Sequence, residues 1–152
     1  MKIKNIYIRD FGIFNNQELN ELSEGIVFIG GHNRAGKSSF LDIIRYLGYG
    51  LPQDGSIPPA KDEYYIQADI KDAKKNYSLS INGYAKPKIT SQVNDNIDVS
   101  ALYNNLDKFS YQQLFTISLD ELQTISKIAG SSRDQKRLYS VLLGAGLSGL
   151  VR

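Results

Sequence analysis

The chain has 152 residues, of which 41% are hydrophobic, and its 18 basic and 16 acidic side chains leave a formal net charge of +2. This length predicts one globular domain with a modest core, and so small a charge does not by itself indicate a nucleic-acid-binding protein. The absence of cysteine excludes disulfides and cysteine-ligated zinc, and no apolar stretch is long enough to span a bilayer. Because the N-terminus also lacks a signal-peptide pattern, we expect a cytoplasmic chain with no membrane segment.

β-Forming side chains predict three strands before residue 30. The first strand covers residues 2–8, a turn follows at Arg9–Gly12, and a weaker strand covers Ile13–Leu19. The apolar run Ile26–Ile29 predicts the third strand. We expect a mixed sheet that includes this third strand.

A glycine-rich segment follows, and Gly31–Ser38 (GHNRAGKS) matches the P-loop pattern G-x-x-x-x-G-K-[ST] without a mismatch. Apolar side chains then recur with helical spacing from Phe40 to Leu47, which predicts a helix over Lys37–Leu47 with one buried face. Glycines in such a loop let backbone N–H groups converge on phosphate oxygens at the positive end of a helix. The sequence therefore predicts a nucleotide-binding chain.

The chemistry of phosphates assigns a role to each residue of this loop. Lys37 is the predicted catalytic residue, because its ammonium can lie on the β- and γ-phosphates, and the Ser38 hydroxyl is expected to ligate Mg²⁺. The predicted cofactors are accordingly ATP and Mg²⁺. The predicted cofactor-binding residues are Asn33, Arg34, Ala35, Gly36, Lys37, Ser38 and Ser39.

The second third of the chain returns to β-structure after a loop rich in glycine and proline. β-Formers alternate with polar residues over residues 64–70 and 77–81, which predicts a hairpin with Lys74–Asn76 as its turn. A proline within Lys86–Ile89 predicts an edge strand there, because proline is poorly tolerated in a central strand.

Helical spacing dominates the last third. It predicts a short helix over Val99–Leu106, a helical segment at Tyr111–Phe115, and two further helices, one ending near Gly130 and one over Arg133–Leu143.

One part of a hydrolytic site is missing from the sequence. A P-loop ATPase needs a carboxylate, usually after four apolar residues, to hold Mg²⁺ and its water ligands, and no such run follows residue 39. We therefore expect that a partner chain supplies this half of the site or that these residues are the N-terminal piece of a longer protein.

Four segments of the chain resemble the YhaN-like ATPases, which are relatives of SbcC and the SMC proteins: Met1–Phe14, Gly31–Ser39, Leu114–Leu122 and Leu142–Leu147. The resemblance implies an α/β fold, namely the N-terminal lobe of an ABC-type P-loop NTPase head with β-hairpins and a C-terminal helical part. In this family the head is split into two lobes on either side of a long coiled coil. Residues 1–152 would form one such lobe, with residues 1–118 as its sheet and P-loop core and residues 119–152 as a helical part leading toward the coiled coil.

The same resemblance implies a function and a set of partners. It implies a DNA-repair or chromosome-maintenance ATPase, in which this chain binds Mg·ATP as the Walker A half and is inactive alone. The implied partners are the C-terminal lobe, a second head in a dimer, DNA and a companion nuclease. The alternative is a nucleotide-binding or assembly module without catalysis of its own. A small-molecule kinase is disfavoured, because arginines for a phosphate-binding lid are sparse after residue 45.

Two family features have no direct counterpart in this sequence. The basic residue that often follows the first strand is replaced by Gly12, which leaves Arg9 as the nearest substitute on the adenine side. The Q-loop glutamine, which helps coordinate Mg²⁺, is expected near residue 119, where Asp120 is either a substitute or a helix N-cap. Gln112 and Gln113 are further candidates. Four lysines either meet a DNA backbone or are exposed solubilising residues: Lys74, Lys75, Lys86 and Lys88.

Overall fold

The computed structural model of the protein describes residues 1–72, 75–91 and 98–116. The chain divides into two compact units, Met1–Leu106 and Asp107–Arg152. The predicted boundary after residue 118 and both helices predicted beyond residue 119 lie outside the described residues. The described elements are β1 (Lys2–Phe11), β2 (Phe14–Leu19), α1 (Lys37–Tyr46), β3 (Tyr65–Asp72), β4 (Lys75–Asn82), β5 (Lys88–Ser91), α2 (Val99–Leu102) and α3 (Lys108–Phe115).

The five strands form one sheet with the order β2-β1-β3-β4-β5, and every neighbouring pair is antiparallel. The predicted hairpin is confirmed as β3 and β4, and the predicted edge strand is confirmed as β5. The predicted hairpin turn is wrong at Lys75 and Asn76, which pair with Asp72 and Lys71 as part of β4. The connection between these two strands is therefore shorter than the sequence pattern indicated.

One face of the sheet carries the core of the first unit. Side chains alternate across a strand, so a register that aligns apolar residues on neighbouring strands buries them together. Ile6 of β1 pairs with Ala68 of β3, which pairs in turn with Leu79 of β4. Among the described residues, the largest fully buried side chains are Ile6, Phe11, Ile43, Leu47, Ile66, Ile70, Leu79 and Ile81.

The opposite face of the sheet is polar. Asn5 donates from Nδ2 to Oδ2 of Asp69 over 3.1 Å, and the rings of Tyr7 and Tyr65 meet edge to face at 6.2 Å. This separation of faces is the pattern that an antiparallel sheet with one covered side produces.

The predicted turn at Arg9–Gly12 is wrong, because β1 continues through Phe11. Phe11 pairs with Phe14 across the hairpin, so only Gly12 and Ile13 remain to reverse the chain. Gly12 has φ +59°, and a Cβ there would lie 2.9 Å from Cγ of Pro58. A left-handed backbone conformation and a close neighbour both require glycine at this position.

The predicted strand at Ile26–Ile29 is also wrong, as is the mixed sheet that was to include it. No residue of this run lies in a strand, and its side chains are 83%, 43%, 92% and 46% exposed. A strand forms only where a neighbouring strand accepts and donates its backbone hydrogen bonds, and within the described residues the sheet ends at β2 on one edge and β5 on the other. The apolar run is therefore a strand-forming sequence with no place in the described sheet.

An ion-pair cluster fixes the chain just before this run. The carboxylate of Glu24 lies 2.9 Å from Nζ of Lys4, 3.5 Å from that of Lys2 and 3.7 Å from that of Lys71. The hydrogen bond from Lys4 and the charge of Lys2 lower the pKa of Glu24 to about 2. The connection from β2 toward the P-loop is thus attached to the start of β1 and the end of β3.

The predicted helices that fall within the described residues are confirmed in type. α1 begins and ends within one residue of the prediction. α2 is shorter than predicted, because Asn104 and Asn105 take left-handed conformations with φ +52° and +55° and end it. In the second unit, Asp107 caps α3 by accepting a hydrogen bond from the Ser110 N–H over 3.0 Å.

Candidate nucleotide-binding site

The P-loop ends at the first turn of α1, which leaves backbone donors available to an anion. Gly36 is the N-cap with φ +88° and ψ 12°, and no side chain caps the helix. The first hydrogen bond of the helix runs from the Phe40 N–H to the Gly36 carbonyl over 2.8 Å. The N–H groups of Lys37, Ser38 and Ser39 therefore have no acceptor within the helix and carry the positive end of its dipole.

A tight turn precedes this helix. The Ala35 N–H donates to the carbonyl oxygen of His32 over 3.2 Å, so Asn33 and Arg34 occupy the two central positions of the turn. A Cβ on Gly31 would lie 3.0 Å from Cβ of Ala35. A side chain on the first glycine of the motif would therefore crowd Ala35, the last residue of the turn.

The ammonium of Lys37 is bound to the backbone of the same loop. Its Nζ donates to the carbonyl oxygen of Gly31 over 2.9 Å and to that of His32 over 2.7 Å, and the side chain is exposed. The loop therefore holds a cation by two neutral acceptors. Phosphate oxygens are stronger acceptors for an ammonium than peptide carbonyls, because the hydrogen bond is then assisted by both charges.

The N–H groups and the ammonium of the loop suit a polyphosphate, whereas the loop offers Mg²⁺ only part of its oxygen ligands. Ser38 is exposed in the first turn of α1, where its hydroxyl can supply one oxygen ligand, and Ser39 is half-buried beside it. The described residues contain no group of three or more His, Cys, Asp or Glu side chains that could hold a metal ion. Mg²⁺ commonly takes one or two carboxylates together with substrate phosphates, so the remaining protein ligands would have to come from elsewhere.

The tip of the β1–β2 hairpin lies against the loop. A Cβ on Gly36 would come within 2.7 Å of Cδ1 of Ile13 and 2.8 Å of Cζ of Phe14. The rings of Phe14 and Phe40 are 6.4 Å apart, and an adjoining cavity of about 140 Å³ reaches Lys37. The sequence analysis missed this contact, since 22 residues separate Phe14 from Gly36 and nothing local indicates their proximity.

Comparison with known families decides the class of protein. A family model described as an AAA domain matches residues 5–147, which is most of the chain. The chain belongs to the AAA domain family. This is a family of ATPases, so the match supports ATP binding and ATPase chemistry at the level of the family.

The AAA domain also resembles a solved structure from work on ATP-driven dimerization and DNA-stimulated activation of SMC ATPases. The TM-score is 0.59 at 15% identity, over 93% of this chain and 99% of the other. The likeness confirms the predicted α/β P-loop NTPase fold, which that SMC ATPase structure shares. A search of curated proteins gave no match. Within the described ranges, every helix is too short or too polar to traverse a lipid bilayer.

Asp10 of the AAA domain fixes the loop that packs beside the hairpin tip. Its carboxylate is 5% exposed and accepts the backbone N–H groups of Lys61, Asp62 and Glu63 over 2.9, 2.7 and 3.2 Å. Burial alone would raise the pKa of Asp10, but these three donors and the charge of Lys61 lower it below its usual value. The sequence analysis missed this residue, because its partners lie more than fifty positions away.

The other candidates of the sequence analysis are dispersed. The guanidinium of Arg9 lies 4.5 Å from the centroid of the Tyr65 ring and 3.8 Å from the carboxylate of Glu63. Gln112 lies in α3 of the second unit, while the side chain of Gln113 and all of Asp120 are outside the described part of the chain. Of the four lysines considered for DNA, Lys74 is likewise not described, and those described are exposed: Lys75, Lys86 and Lys88.

Proposed function

We propose that this AAA domain binds Mg·ATP as the Walker A half of an SbcC/YhaN-like ATPase of DNA repair or chromosome maintenance. The observation that carries the proposal is the Lys37 ammonium, which donates to the carbonyl oxygens of Gly31 and His32 in the loop that ends at the uncapped N–H groups of α1. A cation and several N–H donors in one short loop match the needs of a β- or γ-phosphate.

Each loop residue has a role in this proposal. The backbone N–H groups from Asn33 to Ser39 hold phosphate oxygens, and Lys37 exchanges the carbonyls of Gly31 and His32 for the β- and γ-phosphates. Ser38 supplies a hydroxyl ligand for Mg²⁺. When bound, Mg²⁺ would offset the negative charge that builds up on the phosphate oxygens during transfer.

The exposed run Ile26–Ile29 supports the idea of a half-site. It directly precedes the loop and has a strand-forming sequence. Its side chains are exposed, and Phe28 is the most exposed of them at 92%. A strand from a C-terminal lobe would satisfy its backbone hydrogen bonds and cover its apolar side chains. The same lobe would bring the carboxylate that the sequence lacks after residue 39.

The wider assembly is proposed by analogy with the solved SMC ATPase, whose dimerization is ATP-driven and whose activation is DNA-stimulated. A second head would complete each ATP site, and a DNA backbone would meet the exposed Lys86 and Lys88. A companion nuclease follows from the family resemblance alone and a cytoplasmic location from the sequence pattern of the N-terminus, and both stay predictions.

The second candidate function is a nucleotide-binding or assembly module without catalysis of its own. The lack of a carboxylate cluster among the described residues favours it. The two candidates differ in whether a second lobe restores turnover.

A steady-state phosphate-release assay separates these functions. We expect negligible release from the isolated chain at an ATP concentration that saturates binding, and release that rises with the concentration of an added C-terminal lobe. Binding without restored turnover would favour the assembly module. Robust release by the isolated chain that Lys37→Ala abolishes would show that a complete site is present and would contradict the half-site.

A further inference from the structure

Arg34 occupies a position in the P-loop that favours glycine. It is the second central residue of the turn that the Ala35 N–H closes onto the His32 carbonyl, and its φ is +66°. Turns with a positive φ at this position usually place glycine or asparagine there, because a Cβ is strained in the left-handed region. Glycine would satisfy the backbone here without strain, so the arginine side chain needs a separate explanation.

The side chain has no partner to explain its presence. Arg34 is exposed, and among the described residues it makes no ion pair, hydrogen bond or ring contact. The exposed Arg9 of β1, by contrast, contacts the ring of Tyr65 and the carboxylate of Glu63. The segment from Gly31 to Ser39 contains Arg34 and Lys37 but no acidic residue. The loop therefore presents two cations with no countercharge of its own.

We infer that the guanidinium of Arg34 is a second cationic contact to the phosphates of the nucleotide that this loop binds, a role that rests on the proposed function. A guanidinium offers a planar fork of N–H donors that matches two phosphate oxygens at once, whereas the Lys37 ammonium acts as a point charge. Arg34 thereby adds affinity for the polyphosphate, and the affinity for ATP depends on it more than the affinity for ADP.

Three substitutions separate charge from backbone strain. Arg34→Gln removes the charge and keeps the strained backbone, Arg34→Lys keeps the charge without the fork, and Arg34→Gly removes both charge and strain. Lys88→Gln is the matched control, because it removes an exposed charge from β5, at the edge of the described sheet opposite β2. The affinities for ATP and ADP are measured by calorimetry at several salt concentrations, with Lys37→Ala alongside.

We expect Arg34→Gln and Arg34→Gly to weaken ATP binding about tenfold, which corresponds to one charge-assisted hydrogen bond, and to weaken ADP binding less. Their salt dependence should be shallower than that of the parent chain, and Arg34→Lys should retain part of the affinity. Arg34→Gly should also raise the unfolding temperature without nucleotide, because it relieves the turn.

Two results would overturn the inference. Parental ATP affinity in Arg34→Gln, with binding still lost in Lys37→Ala, would make Arg34 an ordinary surface residue and leave the proposed function intact. A parent chain that binds no ATP would overturn both this inference and the proposed function.

Discussion

The ammonium of Lys37 lies 2.7 Å from the carbonyl oxygen of His32, a residue five positions earlier in the same loop. A second bond of 2.9 Å to the carbonyl of Gly31 holds the ammonium in place. The loop therefore already holds a cation through two backbone carbonyls. In the proposed function, ATP binding would exchange these carbonyl acceptors for phosphate oxygens. Under the proposed function, a loop already ordered by these bonds would carry a lower cost of ordering when it binds a polyphosphate.

Gly36→Ala tests whether the N-cap conformation supports the site. The new Cβ would be strained at φ +88° and would press on Ile13 and Phe14. Because the neighbouring atoms are ends of flexible side chains, we expect a loss of about 1–2 kcal/mol in unfolding free energy, set mainly by the backbone, together with weaker ATP binding. Denaturant titration measures the first effect.

Gly30→Ala is the control, since a Cβ there meets nothing within 4 Å and the backbone is not left-handed. Equal stability of the two variants would contradict the described conformation of Gly36.

Asp10→Asn tests the hydrogen bonds by which Asp10 holds the loop from Lys61 to Glu63. The variant keeps an oxygen acceptor but loses its charge, so we expect a loss of about 1–3 kcal/mol in unfolding free energy at pH 7. The pKa of Asp10 is lowered in the folded chain, so the stabilisation is complete above the unfolded-state pKa of about 3.9 and is lost as pH falls through the folded-state pKa. The stability difference between parent and variant should therefore shrink below about pH 4.

Asp62→Asn removes an exposed carboxylate from the same loop and should change stability little at either pH. A stability difference between parent and Asp10→Asn that persists unchanged in acid would show that the charge of Asp10 contributes nothing.

Phe28→Ser tests whether the run before the P-loop lacks a partner in this chain. A ring that is 92% exposed contributes little to folding, so the unfolding free energy should change by no more than about 0.5 kcal/mol. The same substitution should reduce binding of a hydrophobic dye and self-association by light scattering, because it interrupts the exposed apolar run. A loss of several kcal/mol would mean that Phe28 packs within this chain.

The elements that local patterns specify were predictable. α1 follows from apolar residues spaced one helical turn apart behind a glycine-rich loop, and Ile43 within it and Leu47 directly after it are buried, as that spacing predicts. The β3–β4 hairpin follows from alternation over two adjacent segments. The loop residues of the site follow from a motif whose spacing reflects the geometry of a phosphate.

The remaining features depend on contacts between distant parts of the chain. Ile26–Ile29 has the composition of a strand, but a strand also needs a neighbour, which composition does not reveal. The N–H partners of Asp10 lie more than fifty residues away, and a Cβ on Gly48 would come within 2.2 Å of the ring of Tyr103. No pattern within a window of ten or twenty residues contains these relationships.

The central claim is that the P-loop of this chain binds ATP through Lys37, and calorimetric titration of the parent and Lys37→Ala with Mg·ATP tests it most directly. Removing the ammonium takes away a charge-assisted contact to the phosphates, so we expect the binding free energy to weaken by about 2 kcal/mol or more. Lys88→Ala should bind as the parent does, and matched unfolding temperatures should show that all three chains are folded. Equal ATP affinity for the parent and Lys37→Ala would contradict the account and show that this loop is not the site.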